Sequence, residues 1–162
     1  YDVSHNMAQR ENHNGEEVWV HRKGATRAFG PARMKDSPFA RVGQPVIIPG
    51  SMGTGSYLLA GCDSSQEALC SVNHGAGRTM SRTAAAGKRS RRTGKMIRPA
   101  AISDAEFHRS MAGITLIAED KFSVKEEAPA AYKDIDAVID VVSQAGLAKP
   151  IVRLRPLAVL KG

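Results

Sequence analysis

The residues best suited to chemistry lie in the stretch 73–82, where a single histidine precedes a glycine-rich turn. His74 is followed by Gly75, Ala76 and Gly77. Glycine lets the backbone take positive φ angles and lets a large ligand approach closely. An imidazole beside such a turn is a candidate nucleophile or ligand-binding group, and the alternative is a structural histidine.

Two arginines follow the glycines at helical spacing. Residues 79–86 are helix-competent, and the first amide groups of a helix have no intrahelical partner, so they attract anions. Arg78 and Arg82 would share one face of that helix, and guanidinium groups match phosphate oxygens well. The stretch therefore predicts a phosphate-binding site next to His74.

The size and composition of the chain set the limits of the fold. The 162 residues suit one domain or a large piece of one, and the 42% hydrophobic content can supply a core. The chain opens at Tyr1 in a sequence typical of an interior strand or loop. We therefore expect it to be a fragment that lacks the N-terminal part of its domain.

Nothing in the sequence indicates a membrane protein or a secreted one. There is no run of about eighteen apolar residues and no charged-then-apolar leader. Cys62 and Cys70 lack the spacing of a metal motif, so free cytosolic thiols are the better interpretation. We expect a cytoplasmic protein with no membrane contact.

Positive charge is concentrated in residues 68–103, within a chain of net charge +7. This segment contains no acid and the following cations: Arg78, Arg82, Lys88, Arg89, Arg91, Arg92, Lys95 and Arg98. Such a block attracts polyanions, most often nucleic acid. A merely solvated basic loop is the alternative.

Hydrophobic periodicity predicts a mixture of strands and helices. The predicted strands are residues 17–22, 45–49, 57–60 and 114–118, and a terminal strand over 151–160 that Pro156 interrupts. The predicted helices are 64–72, opened by a capping box at 64–67; 103–111, capped by Ser103; and 135–142, with Asp134 as its cap and Gly146 as its stop. Mixed elements without a regular βαβ rhythm indicate the α+β class, with mixed sheets and packed helices.

A second glycine-rich turn, residues 50–56, follows the strand at 45–49. Its glycines and hydroxyls can present donors to a phosphate or a base edge. It lacks the Gly-Lys-Ser/Thr ending of a P-loop, which argues against a Walker-type nucleotidase. His13, His21 and His108 have no such context, and His21 is expected to make a structural hydrogen bond.

Six separated blocks of the sequence, taken together, resemble the RtcB family of RNA ligases. The blocks are residues 2–6 (Asp-Val-Ser-His-Asn), 20–27, 49–53, 74–78 (His-Gly-Ala-Gly-Arg), 127–133, and 154–156 with 161–162. They occur in the order of the family and cover its C-terminal portion only. Residues 80–88 are similar to the bacterial branch.

The resemblance implies an RtcB-like fold and a GTP- and Mn²⁺-dependent RNA ligase. Such an enzyme joins 2′,3′-cyclic phosphate or 3′-phosphate ends to 5′-hydroxyl ends through a GMP-histidine intermediate. The activity serves tRNA splicing and RNA repair. RNA, as tRNA halves or broken strands, is the implied partner, and an accessory activator protein is a further candidate.

The resemblance also implies roles for individual residues. His74 is the catalytic nucleophile that takes GMP, and His5 is a manganese ligand. Lys23, Arg78 and Arg82 line the reaction site and the RNA path. The positions implied to hold the guanosine nucleotide are Asn6, Pro49, Gly50, Ser51, Met52, Ser56, Gly75, Ala76, Gly77 and Lys161.

Two departures from the family pattern keep alternatives open. The other metal ligands of the family, an Asp, a Cys and two His, lie N-terminal to the matched segment, and Cys62 and Cys70 do not replace them. The spacing over residues 61–73 is about one residue short. A catalytically incomplete fragment that binds nucleotide or RNA is therefore the alternative function, and a metal-dependent phosphatase or nuclease is a weaker one.

Overall fold

The structure, a computed structural model, describes residues 4, 6–90, 92–120 and 123–161. Its strands are β1 (Asn6–His13), β2 (Glu16–Lys23), β3 (Ala25–Arg27), β4 (Pro45–Ile48), β5 (Ser56–Gly61), β6 (Ser71–Asn73), β7 (Lys88–Arg89), β8 (Met96–Arg98), β9 (Thr115–Ala118), β10 (Ala148–Leu154) and β11 (Ala158–Lys161). Its helices are α1 (Arg82–Ala86), α2 (Asp104–Ser110) and α3 (Ile135–Gln144). Short 3-10 helices lie at Pro31–Arg33, Asp63–Ala68, Ser123–Glu127 and Pro129–Ala131. The α+β class is confirmed.

The chain divides into two compact units. Unit 1 comprises Tyr1–Pro49, Ser56–Gly75 and Ile135–Leu154. Unit 2 comprises Gly50–Gly55, Ala76–Asp134 and Arg155–Gly162. That both belong to a single catalytic domain, as the resemblance implies, stays a prediction.

A hairpin of β1 and β2 opens unit 1. The strands pair antiparallel in unbroken register from Asn6↔Lys23 to His13↔Glu16. Asn14 and Gly15 connect them with φ angles of 55° and 89°. Positive φ at both positions of a two-residue turn matches the right-handed twist of a hairpin. The predicted strand at 17–22 is confirmed, and β1 is an additional strand.

The three-stranded sheet β10-β5-β4 and helix α3 supply most of the core of unit 1. Both neighbours of β5 run antiparallel to it. The sheet buries Val46, Ile48 and Leu59, while α3 buries Ile135, Ile139 and Val142. The predicted strands at 45–49 and 57–60 and the predicted helix at 135–142 are confirmed, and Gly146 has the positive φ (67°) expected of a helix stop.

The predicted capping box at residues 64–67 is wrong. A 3-10 helix, Asp63–Ala68, occupies this segment without a side-chain cap, and residues 71–73 form strand β6 rather than a helix. The hydroxyl of Ser64, the predicted cap, donates to the carbonyl of Gly146 instead, and the neighbouring Ser65 donates to that of Ala28 at 2.7 Å.

One cluster of buried side chains forms the core of unit 2. Its members are Met52, Ala85, Ile102, Phe107, Met111, Val124, Ala128 and Ala131. Helix α2 contributes Phe107 and begins at Ser103, whose hydroxyl accepts from the amide of Glu106 at 3.1 Å. The predicted helix at 103–111 and its cap are confirmed.

The predicted helix at 79–86 is too long. Helix α1 begins only at Arg82, and Ser81 caps it by accepting from the amide of Ala84 at 3.1 Å. Arg78 instead forms an isolated antiparallel bridge with Tyr132. The two arginines therefore do not share a helix face, and the glycine turn does not lead directly into a helix N-terminus.

The predicted terminal strand at 151–160 is two strands in different sheets. Residues up to Leu154 belong to β10, which pairs antiparallel with β5 in unit 1. After Pro156, β11 pairs in parallel with β9 in unit 2, which confirms the predicted strand at 114–118. Proline has no amide hydrogen and interrupts a ladder, so the predicted break at Pro156 is confirmed.

The cysteines and the lengths of the helices bear on two further predictions from the sequence. Cys62 and Cys70 are free thiols, as predicted. No helix within the described ranges has both the length and the apolar character needed to span a lipid bilayer.

Candidate functional site

In unit 1, a short strand rather than a helix positions His74. Strand β6 pairs antiparallel with β3, with Asn73 opposite Ala25. The amide of His74 extends this ladder by donating to the carbonyl of Gly24 at 3.0 Å. The side chain of Asn73 donates to the carbonyl of Gly75 at 2.8 Å and so shapes the turn that follows.

Lys23 and Asn6 lie close in the hairpin to Gly24, whose carbonyl accepts the hydrogen bond from the amide of His74. Lys23 directly precedes Gly24, and Asn6 is its cross-strand partner in the hairpin. The side-chain oxygen of Asn6 is 2.9 Å from Nε2 of His21. The predicted structural hydrogen bond of His21 is therefore confirmed, and it occupies the carbonyl oxygen of Asn6.

Pro49 approaches the glycine that follows His74. A Cβ atom added to Gly75 would meet the carbonyl oxygen of Pro49 at 3.4 Å, so the two backbones nearly touch. Pro49 follows the Ile48↔Tyr57 pair of β4 and β5, and Ser56 precedes it at the same end of the ladder. Unit 1 thus brings five predicted residues together around one loop: Asn6, Lys23, Pro49, His74 and Gly75.

In unit 2, the turn Gly50–Gly55 is held by its own hydroxyls. The amide of Ser51 donates to Oγ1 of Thr54 at 2.7 Å, and the two hydroxyl oxygens lie 2.9 Å apart. Met52 is buried in the core of unit 2. A ligand could therefore meet the backbone of Met52 but not its side chain.

The second glycine of the His-Gly-Ala-Gly-Arg motif lies against Lys133. Gly77 has a φ of 77°, and its carbonyl accepts from the amide of Lys133 at 2.9 Å. In the part of the chain that the structure describes, a Cβ added to Gly77 would meet within 4 Å only side-chain carbons of Lys133, at 3.9 and 4.0 Å. Ala76 before it is buried. The space around Gly77 therefore fits a ligand that approaches the backbone.

Arg78 is fixed by several partners within unit 2. Its Nε donates to the carbonyl of Met80 at 3.0 Å, and its Nη1 donates to the hydroxyl of Tyr132 at 2.9 Å. The guanidinium carbon lies 4.8 Å from the centre of the Tyr132 ring. Its Nη2 donates to the carbonyl of Glu126. These contacts orient Arg78 rigidly.

Glu127 is the acid that both arginines share. Its Oε2 lies 3.2 Å from Nη1 of Arg78, and its Oε1 accepts from Nε of Arg82 at 3.1 Å. The hydroxyl of Tyr132 also donates to Glu127. Burial raises the pKa of Glu127, but the hydrogen bonds from Tyr132 and Arg82 and the charge of Arg78 outweigh it, so the pKa lies below its ordinary value. The carboxylate stays ionised and offsets part of the arginine charge.

Lys161 and His5 are separate cases. Lys161 is the last residue of β11, where it is half-buried opposite Ala118. His5, the predicted manganese ligand, lies outside the described residues. Within the described ranges, no group of three or more His, Cys, Asp or Glu side chains could hold a metal ion. The described residues therefore do not fit a resident manganese ion by themselves.

Sequence reasoning gave no role to several residues that shape these surroundings. In unit 2 they are Glu127, Tyr132 and Lys133, which lie in a block that carries the family resemblance. In unit 1 they are Glu11, His13 and Arg22, whose side chains form a buried network. The available signal for that network was the Asn14-Gly15 turn, which places the three side chains on one face of a hairpin.

Comparison with known proteins gives a consistent result along the whole chain. A family model described as tRNA-splicing ligase RtcB matches residues 1–162. All of the chain aligns, at 48% identity, with a protein named tRNA-splicing ligase RtcB from Methanopyrus kandleri, of which it covers 16%. Proteins of the same name from Pyrobaculum aerophilum and Archaeoglobus fulgidus are 44% and 47% identical to it, and it covers 33% of each. The chain thus spans a third or less of the length of these relatives.

Proposed function

Because the chain belongs to the tRNA-splicing ligase RtcB family, we propose that it is the nucleophile-bearing part of a GTP-dependent RNA ligase. His74 carries GMP in this proposal. The enzyme joins 2′,3′-cyclic phosphate or 3′-phosphate RNA ends to 5′-hydroxyl ends, as in tRNA splicing and RNA repair. Assignment to the bacterial branch, a cytoplasmic location and an accessory activator protein stay predictions.

The placement of His74 is the observation that supports this proposal most. A backbone hydrogen bond to Gly24, which follows Lys23, anchors His74, and among the described residues only Pro49 has atoms within 4 Å of a Cβ built on the next residue, Gly75. A histidine that attacks phosphorus needs a fixed backbone, a nearby cation and an unobstructed approach. Unit 1 fixes the backbone of His74 and leaves space at Gly75, and Lys23 is the candidate cation because it directly precedes Gly24.

The chemistry assigned to His74 is a nucleophilic displacement. A neutral imidazole nitrogen attacks the α-phosphorus of GTP, so an N–P bond forms, the P–O bond to pyrophosphate breaks, and pyrophosphate leaves with the electron pair. A 2′,3′-cyclic phosphate end is first opened by water to a 3′-phosphate. An oxygen of the 3′-phosphate then attacks the phosphorus of GMP, so a P–O bond forms as the N–P bond to His74 breaks. The 5′-hydroxyl finally attacks the 3′-phosphorus and loses its proton, and GMP leaves with the electron pair as the ends join. Cations such as Lys23 would neutralise charge on the phosphoryl oxygens. We assign no step to manganese, because the described residues do not form a metal site.

The basic segment supports RNA as the substrate. Lys88, Arg89, Arg92, Lys95 and Arg98 lie on or beside the β7–β8 hairpin of unit 2, and all five are exposed. Salt-dependent attraction of phosphates by such side chains provides much of the affinity for nucleic acid. We propose that this hairpin contacts the RNA backbone.

The test is covalent labelling of His74. The chain would replace the matching third of the Archaeoglobus fulgidus relative, and this chimera would be incubated with Mn²⁺ and GTP carrying radioactive phosphorus at the α position. We expect an acid-labile label that disappears in His74→Ala and persists in His108→Ala. A folded chimera without label, or label retained in His74→Ala, would overturn the proposal.

The alternative function, nucleotide or RNA binding without catalysis, is favoured for the isolated chain by one observation. The described residues contain no group that could hold a metal ion. The isolated chain should then bind GTP or RNA without joining cyclic-phosphate RNA to 5′-hydroxyl RNA. Ligation by the isolated chain would rule this alternative out.

A further inference from the structure

A buried ion pair joins the two strands of the hairpin in unit 1. Arg22 donates to both oxygens of Glu11, from Nη1 to Oε1 at 2.6 Å and from Nη2 to Oε2 at 2.9 Å. The side chains are only 2% and 3% exposed. Removing two charges from water is costly, and such a pair is weak evidence for stability alone. The contacts that Arg22 makes beyond Glu11 indicate another role.

The remaining donors of Arg22 reach the segment that leads to His74. Its Nε donates to the hydroxyl of Ser71 at 2.8 Å, and its Nη2 donates to the carbonyl of Leu69 at 2.8 Å. Ser71 is the first residue of β6. The guanidinium of Arg22, which is held by Glu11, thus binds the start of the strand that precedes His74.

The segment 69–71, to which Arg22 donates its hydrogen bonds, has an unusual backbone. Leu69 and Cys70 have φ angles of 51° and 49°, so two consecutive non-glycine residues are left-handed. Such conformations cost free energy and persist only where the surroundings impose them. Here the amide of Cys70 donates to the carbonyl of Ser65 at 2.8 Å, and Arg22 fixes the carbonyl of Leu69.

The strand itself is too short to define the position of His74. Strands β3 and β6 pair over only three residues each. Arg22 holds the start of β6 through Ser71, and the carbonyl of Gly24 holds its end through the amide of His74. Residues 22–24 therefore hold residues 71–74 at both ends.

We propose that Arg22, held in place by Glu11, is a positioning residue that sets the place of His74 for attack on the nucleotide. This inference rests on the proposed function of His74. Arg22 acts through Ser71 and Leu69 and does not itself contact a substrate. His13 supports Glu11 from the other side, with Nε2 2.9 Å from Oε2.

The test removes one bond of the network at a time. Ser71→Ala deletes the Nε contact and leaves the Glu11–Arg22 pair intact. Arg22→Lys keeps the charge but lacks the planar guanidinium group, which donates to Glu11, Ser71 and Leu69 at the same time. Glu17→Gln is the matched control, because Glu17 pairs with Arg10 on the exposed side of the same hairpin.

Hydrogen exchange provides a readout that does not depend on catalysis. In the 162-residue chain, Ser71→Ala and Arg22→Lys should each speed exchange of the His74 amide about tenfold. In the same variants, exchange of the amides in the β4–β5 ladder should stay unchanged. In the control variant Glu17→Gln, exchange of the His74 amide should stay unchanged as well. Unaltered exchange at His74 in a folded Ser71→Ala variant would overturn the proposal. Equal acceleration in β4 and β5 would do so too, because it would indicate general destabilisation.

Kinetics of GMP transfer in the chimera provide the second readout. Displacement of a nucleophile lowers the chemical rate more than binding. We expect Ser71→Ala to lower the rate constant for labelling about tenfold and to change KM for GTP less than twofold. An unchanged rate constant, or a rise in KM alone, contradicts positioning. Absence of label in the unmodified chimera would count against the function of His74, and exchange would still decide the role of Arg22.

Discussion

Arg78 and Glu127 form an ion pair in unit 2, with 3.2 Å between Nη1 and Oε2, and the two side chains are 23% and 21% exposed. The same carboxylate also binds Arg82 and the hydroxyl of Tyr132. The arginine of the His-Gly-Ala-Gly-Arg motif is thus held in one orientation before any ligand arrives. Nε, Nη1 and Nη2 of Arg78 all donate to protein acceptors and Glu127 offsets its charge, so these contacts hold unit 2 together, and a direct role of Arg78 in binding phosphate stays a prediction.

Replacing Glu127 should destabilise the protein in a pH-dependent way. Glu127→Gln weakens the hydrogen bonds from Arg78, Arg82 and Tyr132, and we expect a loss of about 1–3 kcal/mol in the free energy of unfolding near pH 7. The folded-state pKa of Glu127 lies below its ordinary value of 4.5. The contribution is therefore complete above pH 4.5 and disappears as pH falls through the lower folded-state value. Urea unfolding at several pH values measures this.

Glu126→Gln is the matched control for that experiment. The Glu126 carboxylate lies 4.0 Å from Arg82, and the bond from Arg78 goes to its backbone carbonyl, which the substitution leaves in place. We expect a loss below about 0.5 kcal/mol. Equal losses in the two variants, or a Glu127→Gln effect that does not diminish as the pH falls below 4.5, would contradict the assignment.

A second pH-dependent prediction concerns the Glu11–Arg22 pair. Glu11→Gln leaves a buried guanidinium without its counter-charge, which typically costs about 3–5 kcal/mol. Burial raises the pKa of Glu11, but hydrogen bonds from Arg22 and His13 outweigh it, so the pKa is lowered from 4.5. The difference in the free energy of unfolding between the wild type and Glu11→Gln should be complete above pH 4.5 and decrease as the pH falls below it. Thermal unfolding measures this, with the exposed Glu17→Gln as a control that changes little.

How far the sequence predicts the fold depends on how local the determining interactions are. Helix α3 follows from apolar spacing and α2 from the Ser103 cap, both of which operate within a few residues. The capping box at 64–67 failed because Ser64 and Ser65 bond to Gly146 and Ala28, distant partners that the sequence does not reveal. Strand β1 was missed because its inward residues include the polar Glu11 and His13, which no hydrophobic pattern marks.

The same distinction applies to the candidate site. The motif around His74 was recognisable because its glycines and histidine are adjacent in sequence. The helix expected to carry Arg78 was wrong because the bridge to Tyr132, 54 residues away, fixes Arg78 in an extended segment. The hydrogen bond from Arg22 to Ser71 joins residues 49 positions apart, so the sequence could not predict it either. Long-range side-chain bonds had to come from the structure.

Two glycines allow a paired test of backbone crowding in unit 2. A Cβ at Gly53 would lie 2.5 Å from a side-chain carbon of Pro129 and 2.7 Å from the carbonyl oxygen of Ser110. Because the second contact is backbone, we expect Gly53→Ala to cost about 2–3 kcal/mol of stability. A Cβ at Gly94 would meet no atom of the described residues within 4 Å, but the φ of Gly94 is 68°, so Gly94→Ala should cost about 1 kcal/mol. Chemical denaturation compares them, and a larger loss at Gly94 would contradict the crowding at Gly53.

The last prediction concerns RNA binding by the β7–β8 hairpin. Lys88 and Lys95 are exposed there, and each phosphate contact adds about 0.7 to the slope of log affinity against log salt for single strands. Replacing both with Gln should lower that slope by about 1.4 in titrations of the 162-residue chain with fluorescent single-stranded RNA. Arg10→Gln with Arg153→Gln removes the same charge from unit 1, where both arginines already pair with carboxylates. If this control lowers the slope equally, general attraction by net charge explains the binding and the hairpin has no special role.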